Sequence, residues 1–81
     1  MELITVGVRR IKHDVVPWQG TLEVYHGGDA WRGLIRFQRV GEEGHFRTGE
    51  LFCEDDLDDL RDRLISFTAT TMSSFLRSIL P

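Results

Sequence analysis

The sequence predicts a single α+β domain in which a four-stranded antiparallel β-meander precedes a helical C-terminal part. The first observation is that short apolar runs such as Leu34–Phe37 alternate with glycine-rich turns as far as Cys53. The second is that Leu57, Leu60 and Leu64 then follow helical spacing. The predicted order is therefore ββββαα, with one domain over residues 1–81, the sheet in residues 3–52 and the helices in residues 54–80.

Turn residues set the limits of the predicted strands. Gly27-Gly28-Asp29 is a strong hairpin turn, because glycine adopts positive φ without steric cost. Residues 41–44 contain two glycines and form a second turn, and a stiff loop around Pro17 separates the first two strands. The four strands are expected at Leu3–Ile11, Thr21–His26, Ala30–Val40 and His45–Phe52.

The C-terminal part is expected to form two helices, or one kinked helix, packed on one face of the sheet. The first helix should start at Glu54–Asp56, because acidic side chains favour the positive end of the helix dipole. β-branched and capping residues between Ser66 and Thr71 predict a break. A second helix then follows from about residue 69 to Leu80, and a single long helix is the alternative.

Pairing across the turn at Gly27 assigns side chains to the two faces of the sheet. The face expected to form the core beneath the first helix carries Leu22, Val24, Trp31, Gly33, Ile35 and Phe37. The opposite face, called the outer face below, carries Thr21, Glu23, Tyr25, Arg32, Leu34, Arg36 and Gln38.

The register of the fourth strand allows two arrangements. A tight turn at residues 42–43 would place Glu50 on the core face beside Ile35. A β-bulge would instead place Leu51 there and move Glu50 to the outer face beside Arg36. We favour the bulge, because an unpaired buried carboxylate is costly and the nearby glycines allow irregular backbone. The bulge would also bring two aromatic side chains to the outer face, Phe46 and Phe52.

With Phe46 and Phe52 added to Tyr25 and Leu34, the outer face would be too apolar for a solvent-exposed surface. We therefore expect a partner to cover it. A chain of 81 residues has a thin margin of stability and often needs a disulfide, a metal or a second subunit, and its single cysteine excludes an internal disulfide. We therefore expect a small non-catalytic interaction protein, homodimeric, with a regulatory or assembly role. The second helix is expected to pack on its own core, or alternatively on a second subunit. The expected contact residues are Tyr25, Leu34, Phe46, Phe52, Phe75 and Ile79.

Arginines beside an aromatic ring on the outer face indicate an alternative function, which is binding of single-stranded nucleic acid. The net charge of −3 argues against a general nucleic-acid binder, which carries a basic excess. The other interpretation pairs the arginines with Glu23 and Glu50 on neighbouring strands. The residues expected to contact phosphates and bases are Arg32, Arg36, Arg47 and Tyr25.

Side chains capable of catalysis or metal binding form no recognisable motif in the sequence. His26 and His45 should lie at opposite ends of the third strand, too far apart to share a metal. His26, Asp29 and Cys53 are expected to converge at one end, but the acidic residues 54–56 disfavour a reactive thiolate. We therefore expect no enzymatic activity, no metal site and no small-molecule cofactor.

The predicted location is the cytoplasm. No apolar run approaches the ~20 residues of a membrane span. The N-terminus lacks the pattern of a signal peptide, and the lone cysteine fits a reducing compartment. Nine of the ten basic residues are arginine and asparagine is absent, which suggests a GC-rich bacterial genome.

Overall fold

A computed structural model describes residues 2–81 as a five-stranded antiparallel sheet followed by two helices. The sheet order is β1-β2-β3-β4, and β5 also pairs with β3. This arrangement confirms the predicted α+β meander with C-terminal helices. The elements are β1 (Ile4–His13), β2 (Val16–Gly27), β3 (Ala30–Arg39), β4 (His45–Arg47), β5 (Phe52–Glu54), α1 (Leu57–Ile65) and α2 (Ala69–Ile79).

A two-residue turn joins β1 to β2, where the sequence predicted a longer loop around Pro17. Asp14 and Val15 adopt left-handed φ values of 51° and 61°, and His13 pairs with Val16 across the turn. Two consecutive positive φ values are typical of type I′ hairpins, which usually carry glycine or asparagine. The sequence gives no such signal here, because a β-branched residue such as Val15 rarely adopts positive φ. Both strands are therefore longer than predicted.

The apolar core lies between the sheet and the two helices, on the predicted face of the sheet. Gly33 permits close packing there, because a Cβ atom at this position would lie 3.1 Å from the Phe52 ring and 3.4 Å from Leu60. The side chains with no more than 2% exposure are Leu22, Val24, Ile35 and Phe37 from the sheet, Leu60 and Leu64 from α1, and Met72 and Leu76 from α2.

The predicted break between the helices is confirmed. Asp56 caps the N-terminus of α1, and Thr68 Oγ1 accepts a hydrogen bond from the Thr71 N–H at 3.1 Å to cap α2. Arg9 Nη1 donates to the Phe67 carbonyl at 2.6 Å, which ties the connecting segment to β1. Because each helix has its own cap, the single long helix is excluded.

Residues 48–51 divide the predicted fourth strand into β4 and β5. Phe46 pairs with Phe37, whereas Phe52 pairs with Gly33, so five residues (47–51) lie opposite three residues of β3 (34–36) between these pairs. The bulge thus contains two extra residues, and an even number preserves the alternation of side chains. Both phenylalanines therefore lie on the helix-covered face, and their predicted place on the outer face is wrong.

Thr48 holds the bulge in place. Its Oγ1 accepts a hydrogen bond from the Ile35 N–H at 3.0 Å and donates to the Gly49 carbonyl at 2.8 Å. Thr48 itself is buried, whereas Leu51 is 36% exposed. The expectation that Leu51 would enter the core is therefore wrong, because the two-residue bulge gives the buried position to Thr48.

Candidate functional site

Ion pairs between strands cover the centre of the outer face. Arg47 Nε donates to Glu23 Oε1 at 2.9 Å, and Arg36 Nε lies 3.7 Å from the same oxygen. Glu23 is only 7% exposed, so two guanidinium groups compensate for its desolvation. Arg36 Nε is itself buried without a hydrogen-bond partner. The predicted pairing of arginines with Glu23 across strands is confirmed, with Arg36 on the neighbouring strand β3 and Arg47 on β4.

A second ion pair lies beside the bulge on the outer face. Glu50 accepts hydrogen bonds from Arg32 Nη1 at 2.6 Å and from Tyr25 Oη at 3.1 Å. It was predicted beside Arg36, and the two extra residues of the bulge shift it to Arg32 instead. The hydrogen bond to Glu50, followed by burial, raises the pKa of Tyr25 above its usual value, and the same carboxylate raises the pKa of Arg32.

The predicted contact residues fall on both sides of the sheet and do not form one surface. Tyr25 and Leu34 lie half-buried on the outer face, as expected. Phe52 lies on the opposite side with 8% exposure, and its ring centroid is 5.3 Å from that of Phe67. Phe52 is therefore part of the core, beneath the helical segment of its own chain.

The other three predicted contact residues lie on the helix-covered side and are called the helix-side surface below: Phe46, Phe75 and Ile79. Phe46 is 37% exposed, with its ring centroid 6.3 Å from that of Trp18. Phe75 and Ile79 are one helical turn apart on α2 and pack half-buried against the core. Because Met72 and Leu76 of the same helix are fully buried, α2 packs on its own chain.

The predicted approach of His26 to Cys53 is wrong. His26 packs against Trp31 with ring centroids 5.1 Å apart, whereas Cys53 lies opposite Arg32. Trp31 and Arg32 are consecutive strand residues, so His26 and Cys53 lie on opposite faces. Within residues 2–81, no group of three or more histidine, cysteine, aspartate or glutamate side chains is placed to hold a metal ion.

One polar pair was not predicted from the sequence. His13 is 8% exposed, and its Nδ1 lies 2.8 Å from Ser73 Oγ on α2. Its Nε2 lies 3.6 Å from Asp14 Oδ2, too far for a hydrogen bond. The pair gives one nitrogen of a buried imidazole a hydrogen-bond partner and holds the serine hydroxyl at the junction of β1 and α2. No local pattern indicates it, because the two residues are 60 positions apart.

Comparisons with protein-family models, curated proteins and solved structures find no match to this chain. Among residues 2–81, neither helix combines the length and apolar character needed to cross a membrane.

Proposed function

We propose that this chain is a non-catalytic cytoplasmic interaction protein that works as a homodimer, in a regulatory or assembly role. The observation that carries the proposal is the exposure of Phe46 on the helix-covered side. An aromatic ring that is 37% exposed, next to the buried Trp18, leaves apolar area in water that a second subunit would cover.

The position of β4 supports contact with a second copy of the chain. β4 is an edge strand, and all three of its residues are exposed. His45 and Arg47 pair with outer-face residues, so β4 contributes only Phe46 to the helix side. The half-buried Phe75 and Ile79 add apolar area on the same side without adding charge. Aromatic side chains are enriched in protein interfaces, and two of these three residues are phenylalanines.

Light scattering coupled to size exclusion tests this proposal. Phe46→Ser should shift the mass from dimer toward monomer, because it removes the exposed ring. Val8→Ser is the matched control, since Val8 is an exposed apolar residue on the outer face of β1. Equal behaviour of the two variants would count against the helix-side surface. Circular dichroism of each variant verifies that the chain remains folded.

A second candidate function is binding of single-stranded nucleic acid on the outer face. Arg36 and Arg47 share one carboxylate, that of Glu23, so these three side chains together carry a net positive charge. β1 adds Arg10, which pairs with Gln19 on this face. With Glu50 of the bulge included, the outer face thus carries four arginines and two glutamates, namely Arg10, Arg32, Arg36, Arg47, Glu23 and Glu50.

Fluorescence anisotropy with a labelled single-stranded oligonucleotide tests this second function. Binding at moderate salt that weakens as salt rises, and that is reduced in Arg47→Gln, would support it. Arg61→Gln on α1 is the control, because it removes the same charge from the helical layer. The absence of binding at low salt would refute it.

A further inference from the structure

We propose that the cleft between β1 and α2 binds an oxyanion of the phosphate class. This inference does not depend on the proposed dimer. The cleft has a volume of about 320 Å³ and runs along the flank of α2, next to the edge strand β1. Its walls are formed by Lys12 of β1 and by Ala69, Thr70, Ser73, Ser74 and Arg77 of α2.

The charge of the cleft favours an anion. Both charged residues in its walls, Lys12 and Arg77, are basic, and no aspartate or glutamate lines it. Neither basic residue forms an ion pair with another residue in the part of the chain that the structure describes. The cleft is therefore basic and free of carboxylates, although the whole chain has a net charge of −3. An arginine offers several parallel N–H donors that match the oxygens of a phosphate.

The hydroxyl groups supply neutral donors along the same wall. Ser73 and Ser74 lie three and four positions after Thr70, on one side of α2. The Ser74 hydroxyl donates to the Thr70 carbonyl at 3.1 Å, so its proton is already used. The Thr70 hydroxyl has no hydrogen-bond partner within residues 2–81 and is free to donate.

The buried His13 positions the third hydroxyl. When Nδ1 of His13 carries the imidazole proton, it donates to Ser73 Oγ at 2.8 Å. The serine proton is then free to point into the cleft. Because His13 is 8% exposed, the imidazole holds this hydroxyl from the protein interior while the cleft stays open to solvent. Arg77, Thr70 and Ser73 together provide charged and neutral donors for one tetrahedral anion.

Titration of the ¹⁵N-labelled chain with inorganic phosphate, at constant ionic strength, tests the proposal. The expected result is saturable chemical-shift change in the amides of residues 69–77, with a Kd below about 10 mM. Arg77→Gln should weaken binding about tenfold, because a hydrogen bond to a charged group is lost. Thr70→Ala should weaken it by a smaller factor without disturbing the fold, since its hydroxyl makes no internal hydrogen bond.

Arg61→Gln is the matched control, because it removes an exposed helix arginine outside the cleft and should leave phosphate binding unchanged. Three results would overturn the proposal. The first is the absence of saturable shifts. The second is an equal response to chloride. The third is equal weakening by Arg77→Gln and Arg61→Gln.

Discussion

Arg32 Nη1 of β3 donates at 2.6 Å to Oε1 of Glu50, which lies in the bulge that separates β4 from β5. The Tyr25 hydroxyl donates to the second oxygen of the same carboxylate, so Glu50 links the bulge to β2 and β3. A glutamate that the strand alternation would direct toward the core is thereby paired on the outer face, and the core stays free of charge.

The titration of Tyr25 tests this arrangement. Tyr25 is the chain's single tyrosine, so tyrosinate absorbance reports it alone. Its pKa should lie above the usual value of 10.0, and Glu50→Gln should lower it toward that value, because the hydrogen bond to the carboxylate favours the protonated phenol. With a folded-state pKa above that of the unfolded chain, this contribution to stability is fully present below pH 10 and is lost as pH rises through the folded value.

Glu43→Gln is the control for this titration, because Glu43 is an exposed turn residue without an ion pair in the described chain. An identical Tyr25 titration in wild type and Glu50→Gln would show that the carboxylate does not hold the phenol in solution.

The hydroxyl of Thr48 should contribute measurably to folding stability. Thr48→Val keeps the shape of the side chain but leaves the buried Ile35 N–H without its acceptor. We expect the free energy of unfolding to fall by about 1–3 kcal/mol, measured by chemical denaturation. Thr5→Val, at an exposed position of β1, should change stability by less than about 0.5 kcal/mol. Similar values for both variants would argue against this role of Thr48.

A glycine substitution in the β1–β2 turn should increase the stability of the folded chain. Val15 is 90% exposed and has a φ of 61°, a conformation that costs a non-glycine residue about 1–2 kcal/mol. Val15→Gly removes this strain but costs about 0.5–1 kcal/mol of backbone entropy, so we expect the free energy of unfolding to rise by up to about 1.5 kcal/mol in thermal or chemical unfolding. Val8→Gly, in the middle of β1, should destabilise instead. A loss of stability in Val15→Gly would refute the strained turn.

The sequence was sufficient to predict the core face and the helix break, because each depends on local patterns. The alternation of Leu22 and Val24 across the turn at Gly27 specifies one face, and the caps between α1 and α2 are short-range. The side occupied by Phe46 was not predictable in this way, since it depends on the register that the turn at residues 41–44 gives to β4. The side occupied by Phe52 depends in addition on whether the bulge has an odd or even number of extra residues. The glycines near the bulge permit either number.

The candidate sites were predictable only in part, for a related reason. Pairing of arginines with Glu23 follows from the positions of neighbouring strands, and the sequence indicated it. The contact between His13 and Ser73 depends on how α2 lies against β1, which involves residues 60 positions apart. No local signal carries that information, so the cleft beside α2 is apparent only from the fold.

The mass of the wild-type chain in solution, measured across a range of concentrations by light scattering, tests the proposed homodimer most directly. We expect twice the chain mass of 9.4 kDa, with a return to the single-chain mass in Phe46→Ser. A wild-type chain that stays at 9.4 kDa at every concentration would contradict it.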